Sequence, residues 1–132
     1  MNKTYITLSL MLLLTASYGQ NSATAKADKL FESYQYVAAI DEYSKLAEGK
    51  SGNEYIYTQL ADSYYNVFDA ENASKWFAKA TAKGKADAET YYRYAQTLKV
   101  LGKYQGANKQ MDVFAKMIPS DARAKEHLAN PN

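Results

Sequence analysis

Shifted by 34 residues, this chain falls on itself. Tyr57, Leu60, Ala61 and Tyr64 move onto Tyr91, Tyr94, Ala95 and Leu98, and the reverse shift reaches Ala23, Lys26, Ala27 and Leu30. Ala39, Ala73 and Ala107 also coincide, as do Tyr43, Phe77 and Met111. A fixed period of this length implies a stack of like units, each too small to bury its own apolar face and therefore leaning on the next.

Each unit reads as two amphipathic helices. In the second copy a helix over about 53–67 puts Tyr57, Leu60, Ala61, Tyr64 and Phe68 on one stripe, and a helix over about 70–82 does the same with Ala73, Trp76, Phe77 and Ala80. Gly49, Gly52, Gly84 and Ile118-Pro119 supply the breaks, with Asn53, Asp87 and Ser120 as expected N-caps. No stretch alternates with period two for long enough to make a strand, so the fold class is all-α. The expected units are 20–53, 54–87 and 88–121. Residues 122–132 follow as a polar capping helix around Ala124 and Leu128, with a linker or chain end.

The N-terminus has a different logic. Lys3 precedes an apolar run from Tyr5 to Ala16, and Ser17 and Gly19 sit three residues and one residue before a plausible cut, the arrangement of a signal peptide over 1–19. The run is shorter than the roughly 20 residues a membrane-spanning helix needs. Export is therefore expected. Gln20 and Asn21 stand where a lipid-carrying cysteine would be, so no direct lipid anchor is expected at this end. With Cys 0, the exported domain must be held by packing alone.

Composition then narrows the chemistry. Lys+Arg 16 against Asp+Glu 14 lacks the basic surplus that displaces counterions from nucleic acid, so no nucleic-acid partner is expected. His127 is the sole histidine, with no cysteine to share a metal or a proton, and is expected to be solvated. The acid pairs Asp41–Glu42 and Asp69–Glu71 lie at or beside helix starts, where acids favour the dipole and no cleft holds them for hydrolysis. Lys75, Lys79, Lys83 and Lys85 form a stripe read as a solvated face, and the glycosylation triplet Asn72-Ala73-Ser74 is discounted because Ala73 is expected in the core. No catalytic residue, cofactor or metal is assigned, and no enzyme activity is expected.

Leu60-Ala61 followed by Tyr64, Leu101-Gly102-Lys103-Tyr104 with Ala107, the run from Tyr36 through Ala39-Ile40 to Tyr43, and the closing Pro119 resemble the tetratricopeptide repeat over about residues 21–121. The resemblance implies a right-handed superhelix of three helix-turn-helix repeats plus the cap. The first copy departs from the pattern, with Ala23 in place of a bulky opening residue and Tyr34 at the turn where the third copy has Gly102, a position that Phe68 fills in the second. Its first helix is expected to fray or begin late.

In this family the first helices line a concave groove for a protein or peptide segment. Carried over, that implies Asp28, Phe31 and Glu32 from the first copy, then Tyr55, Thr58, Gln59, Asp62, Tyr65 and Asn66 from the second. The third would give Glu89, Tyr92, Arg93, Gln96 and Lys99. Tyr65 and Tyr92 are the expected hot spots. Acids toward the first copy and bases toward the third would orient a peptide with its basic part near Asp28, Glu32 and Asp62 and its acidic part near Arg93 and Lys99. Members that clamp a terminal carboxylate use lysine and asparagine where this chain has Thr24, Asp28, Thr58 and Asp62, and the aspartates would repel such a ligand.

A signal, repeats close behind it and a closing Ala129-Asn130-Pro131-Asn132 that stops like a linker resemble, in arrangement, the N-terminal part of OmpA-like peptidoglycan-associated envelope proteins. That resemblance implies a scaffold in the periplasm or at the inner face of the outer membrane, joined to membrane and peptidoglycan through a downstream domain. The alternatives are a free-standing periplasmic adaptor or self-associating subunit, and a non-catalytic accessory of an envelope enzyme complex.

Overall fold

The computed structural model describes residues 23–130; the expected signal segment 1–19 lies outside the described residues, as do Pro131 and Asn132. Those residues form α1 (Ala25–Glu32), α2 (Tyr36–Glu48), α3 (Glu54–Asn66), α4 (Ala70–Thr81), α5 (Ala88–Val100), α6 (Tyr104–Met117) and α7 (Ala122–Ala129), with no strand among them. Each helix packs chiefly on its neighbours in sequence, so the chain is a row of hairpins α1–α2, α3–α4 and α5–α6 closed by α7, and α3 also touches α5.

Local chemistry repeats with the period. Asn53, Asp87 and Asp121, spaced 34 apart, cap α3, α5 and α7 by accepting from the backbone N–H of Ile56, Thr90 and Arg123. The last helix thus starts one residue later than Ser120 would have it. Asp121 carries the cap because it is the residue in phase with Asn53 and Asp87. Asp69 caps α4 through Asn72, the helix-start role expected of that acid. The first helix does begin late: α1 has 8 residues against 13 in α3 and α5.

The three turns inside the hairpins share one geometry. The N–H groups of Gln35, Asp69 and Lys103 reach back to the carbonyls of Leu30, Tyr64 and Leu98, while those of Tyr34, Phe68 and Gly102 bond Phe31, Tyr65 and Lys99. This is a Schellman closure, which puts the residue after the helix cap in the left-handed region. Tyr34 has φ 61°, Phe68 φ 62° and Gly102 φ 70°. Only the third copy fills that position with the residue that adopts it freely. Phe68 is 93% exposed and Tyr34 80%, so little packing is recovered for the strain.

Small residues set the spacing of the stack. Ala27, Ala61 and Ala95 on the first helices and Ala39, Ala73 and Ala107 on the second are all fully or almost fully buried, as is Ala124 of α7. A methyl group at each crossing lets helices approach closely, and larger side chains interlock to either side. Phe77, fully buried in α4, meets Tyr65 of α3 at 6.3 Å and stacks on Tyr94 of α5 at 5.9 Å between ring centres, joining the second hairpin to the third. Tyr57 stacks on Trp76 at 5.7 Å, and Lys79 lies 4.4 Å from the Trp76 ring, so this lysine of the stripe rests on an aromatic surface.

Two stability outcomes are expected. Ala61→Leu or Ala95→Leu should lose about 1–3 kcal/mol in chemical denaturation, because no space exists for the added carbons. Phe68→Gly, and separately Tyr34→Gly, should gain about 0.5–1 kcal/mol in the same assay, the left-handed strain of about 1–2 kcal/mol being partly offset by glycine's greater freedom in the unfolded chain.

Candidate protein-binding groove

The first helices of the hairpins, α1, α3 and α5, together with α7, are tied to one another in series by polar side chains. Asp28 of α1 accepts from Tyr55 of α3 at 2.8 Å, from Thr24 at 2.7 Å, and from Tyr43 of α2. Asp62 of α3 accepts both Nε and Nη2 of Arg93 of α5, at 2.6 and 2.9 Å. Glu89 of α5 accepts two nitrogens of Arg123 of α7, whose guanidinium also lies over Tyr92, 4.4 Å from the ring centre. Gln59 donates to Tyr43, and Asn66 to the carbonyl of Asp62.

These ties change the electrostatics expected of the face. Asp62 is 7% exposed, and burial holds its carboxyl above the ordinary value while the Arg93 guanidinium pulls it back down. Burial, and then the Asp28 carboxylate, raise the phenols of Tyr43 and Tyr55, the latter to about 12. The expected sorting of acids and bases for a peptide is therefore revised. Asp62 and Arg93 serve each other, and Asp28 is taken up by three hydroxyls. Glu32 and Lys99, both exposed, remain as the charged groove residues that take part in no ion pair or hydrogen bond among the described residues.

Two open clefts share one stretch of α5. A cleft of about 520 Å³ between α5, α6 and α7 is lined by Tyr92, Gln96, Lys99, Tyr104, Met111 and His127, among others. One of about 440 Å³ runs between α3 and α5 at the turn end of the second hairpin, lined by Tyr65, Phe68, Tyr92, Gln96, Lys99 and Val100, among others. Tyr92, Gln96 and Lys99 border both. Tyr65 and Tyr92 are half-buried and held in place, Tyr65 by edge contact with Phe77 and Tyr92 by Phe114 and the Arg123 guanidinium over its ring. Phe31 meets Tyr36 edge-on at 5.3 Å and Tyr55 remains exposed, at the far end of the same row.

No family profile and no curated protein sequence matches the chain. Solved structures do. The first TPR of Spaghetti (RPAP3), bound to an HSP90 peptide, superposes with a TM-score of 0.69 at 23% identity over 81% of this chain and 85% of that one. The second TPR domain of human RPAP3, in complex with an HSP70 peptide, gives 0.70 at 19% identity, over 82% and 90%. The C-terminal part of a TPR repeat-containing protein from Cytophaga hutchinsonii gives 0.66 at 25%, over 73% of this chain and 38% of that one.

The fold is that of a tetratricopeptide-repeat domain. Within this tetratricopeptide superhelix one further residue differs from its sequence reading. His127 is not a solvated histidine: its side chain is 9% exposed, with Nε2 2.7 Å from Asp112 Oδ1 of α6, because α7 lays that face on α6. Thr24 is buried and donates its hydroxyl to Asp28. The ladder of helix-to-helix ties is the feature sequence reasoning missed. Its signal was present in part, since Asp28 and Asp62 are one period apart, as are Tyr55, Glu89 and Arg123.

Removing one partner of the Asp62–Arg93 pair should expose what burial does to it. Arg93→Ala leaves a buried carboxylate without its cation, and is expected to cost about 2–4 kcal/mol at pH 7. The orphaned Asp62, its pKa raised further, takes up a proton in the folded state at a pH where the unfolded chain is still ionised, so the deficit should shrink as pH falls toward 4. Urea denaturation of both proteins at pH 7 and pH 4.5 checks this; an equal deficit at the two values would contradict the burial argument.

Proposed function

We propose that this tetratricopeptide domain is an exported protein-interaction module, which holds a segment of another protein along its concave face and has no chemistry of its own. The observation that carries the reading is the pair of clefts meeting at Tyr92, Gln96 and Lys99, with aromatic surfaces pre-positioned by packing and an amide and an ammonium beside them. Half-buried aromatics that move little on binding lose little entropy, which suits them to anchoring a partner. Two of the similar TPR structures were solved with HSP90 and HSP70 peptides, which supports a peptide-sized ligand for this face. The ligand differs from those in one respect. Asp28 and Asp62 stand where a carboxylate clamp carries neutral or basic hooks, so this end of the groove does not attract a terminal carboxylate.

The apolar run from Tyr5 to Ala16 behind Lys3 supports export, and its arrangement with the repeats supports a scaffold in the cell envelope, as the N-terminal part of an OmpA-like protein whose downstream domain meets peptidoglycan. Fractionating native cells and probing with antibody to this domain tests that placement. A band larger than residues 20–132 in the envelope pellet is the expected result; a band of that size in the soluble periplasm would replace the scaffold with a free adaptor. The groove itself is tested by crosslinked partner capture from the same cells. Tyr65→Ala combined with Tyr92→Ala should reduce recovery of the partner by at least about tenfold with the helical content unchanged, and unchanged recovery would remove the concave face from the function.

A further inference from the structure

The left-handed turn positions raise a question that folding alone does not answer. A turn of this geometry wants glycine, and the third hairpin has it in Gly102. The second hairpin instead carries Phe68, a bulky residue at φ 62° with its ring 93% exposed. A phenylalanine that strains the backbone and buries almost nothing is unexplained by stability. It lines the cleft of about 440 Å³ between α3 and α5 together with Val100, itself 77% exposed, and the half-buried Tyr65 and Tyr92. The lining is mostly apolar. No acid contributes to it, and its one charge is the unpaired ammonium of Lys99, with the Gln96 amide one turn earlier on α5.

We infer that this cleft is the specificity pocket of the groove, and that its occupant is an apolar side chain adjoining an aspartate or glutamate within a linear segment of the partner. The inference rests on the groove reading above and deepens it. The apolar side chain sits between the rings of Tyr65, Phe68 and Tyr92 and the Val100 methyls, where its burial provides the affinity. The neighbouring carboxylate meets Lys99 at the mouth of an aromatic-walled cleft, where the local dielectric is lower than in open water and the pairing is correspondingly stronger. The other groove bases, Arg93 and Arg123, are held by Asp62 and Glu89 and do not compete for that carboxylate. Phe68 is thus retained at the expense of stability because it forms one wall of the pocket.

The experiment selects phage-displayed random 12-residue peptides, which present no free C-terminus, on the purified protein and measures the winners as labelled synthetic peptides by fluorescence anisotropy. The expected winners carry an apolar residue next to Asp or Glu. Phe68→Gly should weaken them by at least about tenfold while melting at or above the parent temperature, so the loss cannot be ascribed to unfolding. Lys99→Glu, used in a second selection, should turn the charge preference from acidic to basic. Winners that bind Phe68→Gly as tightly as the parent, or that show no acidic bias, overturn the inference. If those winners are still lost with Tyr55→Ala, at the other end of the concave face, the groove reading stands without this pocket; recovery of no peptide overturns both.

Discussion

Close approach of helices at buried alanines is the constraint on which the rest depends. Ala27, Ala61 and Ala95 on the first helices and Ala39, Ala73 and Ala107 on the second each have almost no exposed surface. Where two helices meet over methyl groups their axes come near enough for neighbouring tyrosines and phenylalanines to interlock, and the tilt this imposes on one hairpin passes to the next. The core is accordingly a string of clusters. One gathers around Tyr43, Ile56 and Leu60, another around Phe77, and a third around Tyr91, Met111 and Phe114. A chain without disulfides gains its order from this repetition, each cluster stabilised by the next one along.

Much of that arrangement was legible in the sequence, because the features that specify it are periodic. The alanines, the apolar stripes of α3 and α4 except for Phe68, which falls exposed in the turn beyond α3, and the caps Asn53 and Asp87 follow from spacing and side-chain chemistry alone. The misplaced cap is instructive, since Ser120 is a good capping residue by type and Asp121 is the one in phase. Where local preference and period disagreed, the period was the better guide, because it carries the tertiary context that a single residue type lacks. Tyr34 and Phe68 were readable as turn residues. That the turns would hold them left-handed depends on the backbone bonds from Gln35 and Asp69 back into the preceding helix.

The groove was less legible than the core. Which residues lie on the first helices follows from the repeat, but which of their charges stay free depends on partners between 27 and 34 residues away. Nothing in a helical period says that Arg93 will reach back to Asp62 or that Arg123 will close over Glu89 and Tyr92. Once those contacts form, a row of charges that reads as a binding surface becomes largely the fastening of the stack, and what remains for a partner is aromatic and amide groups, the Lys99 ammonium and, toward the first hairpin, the Glu32 carboxylate.

The fastenings also bear on how such an array could lengthen. Tyr55, Glu89 and Arg123 occupy one repeated position, and Asp28, Asp62 and Gln96 another. Copying the middle hairpin in tandem would set a second Tyr55 against Asp62, a donor against an acceptor, as Tyr55 already meets Asp28. Copying the third would bring a second Glu89 to the place where Arg123 now binds the first, carboxylate against carboxylate. Hairpins that look interchangeable by their apolar stripes are therefore ordered by their polar edges: the middle unit is the one that can be multiplied, and the third belongs beside the cap.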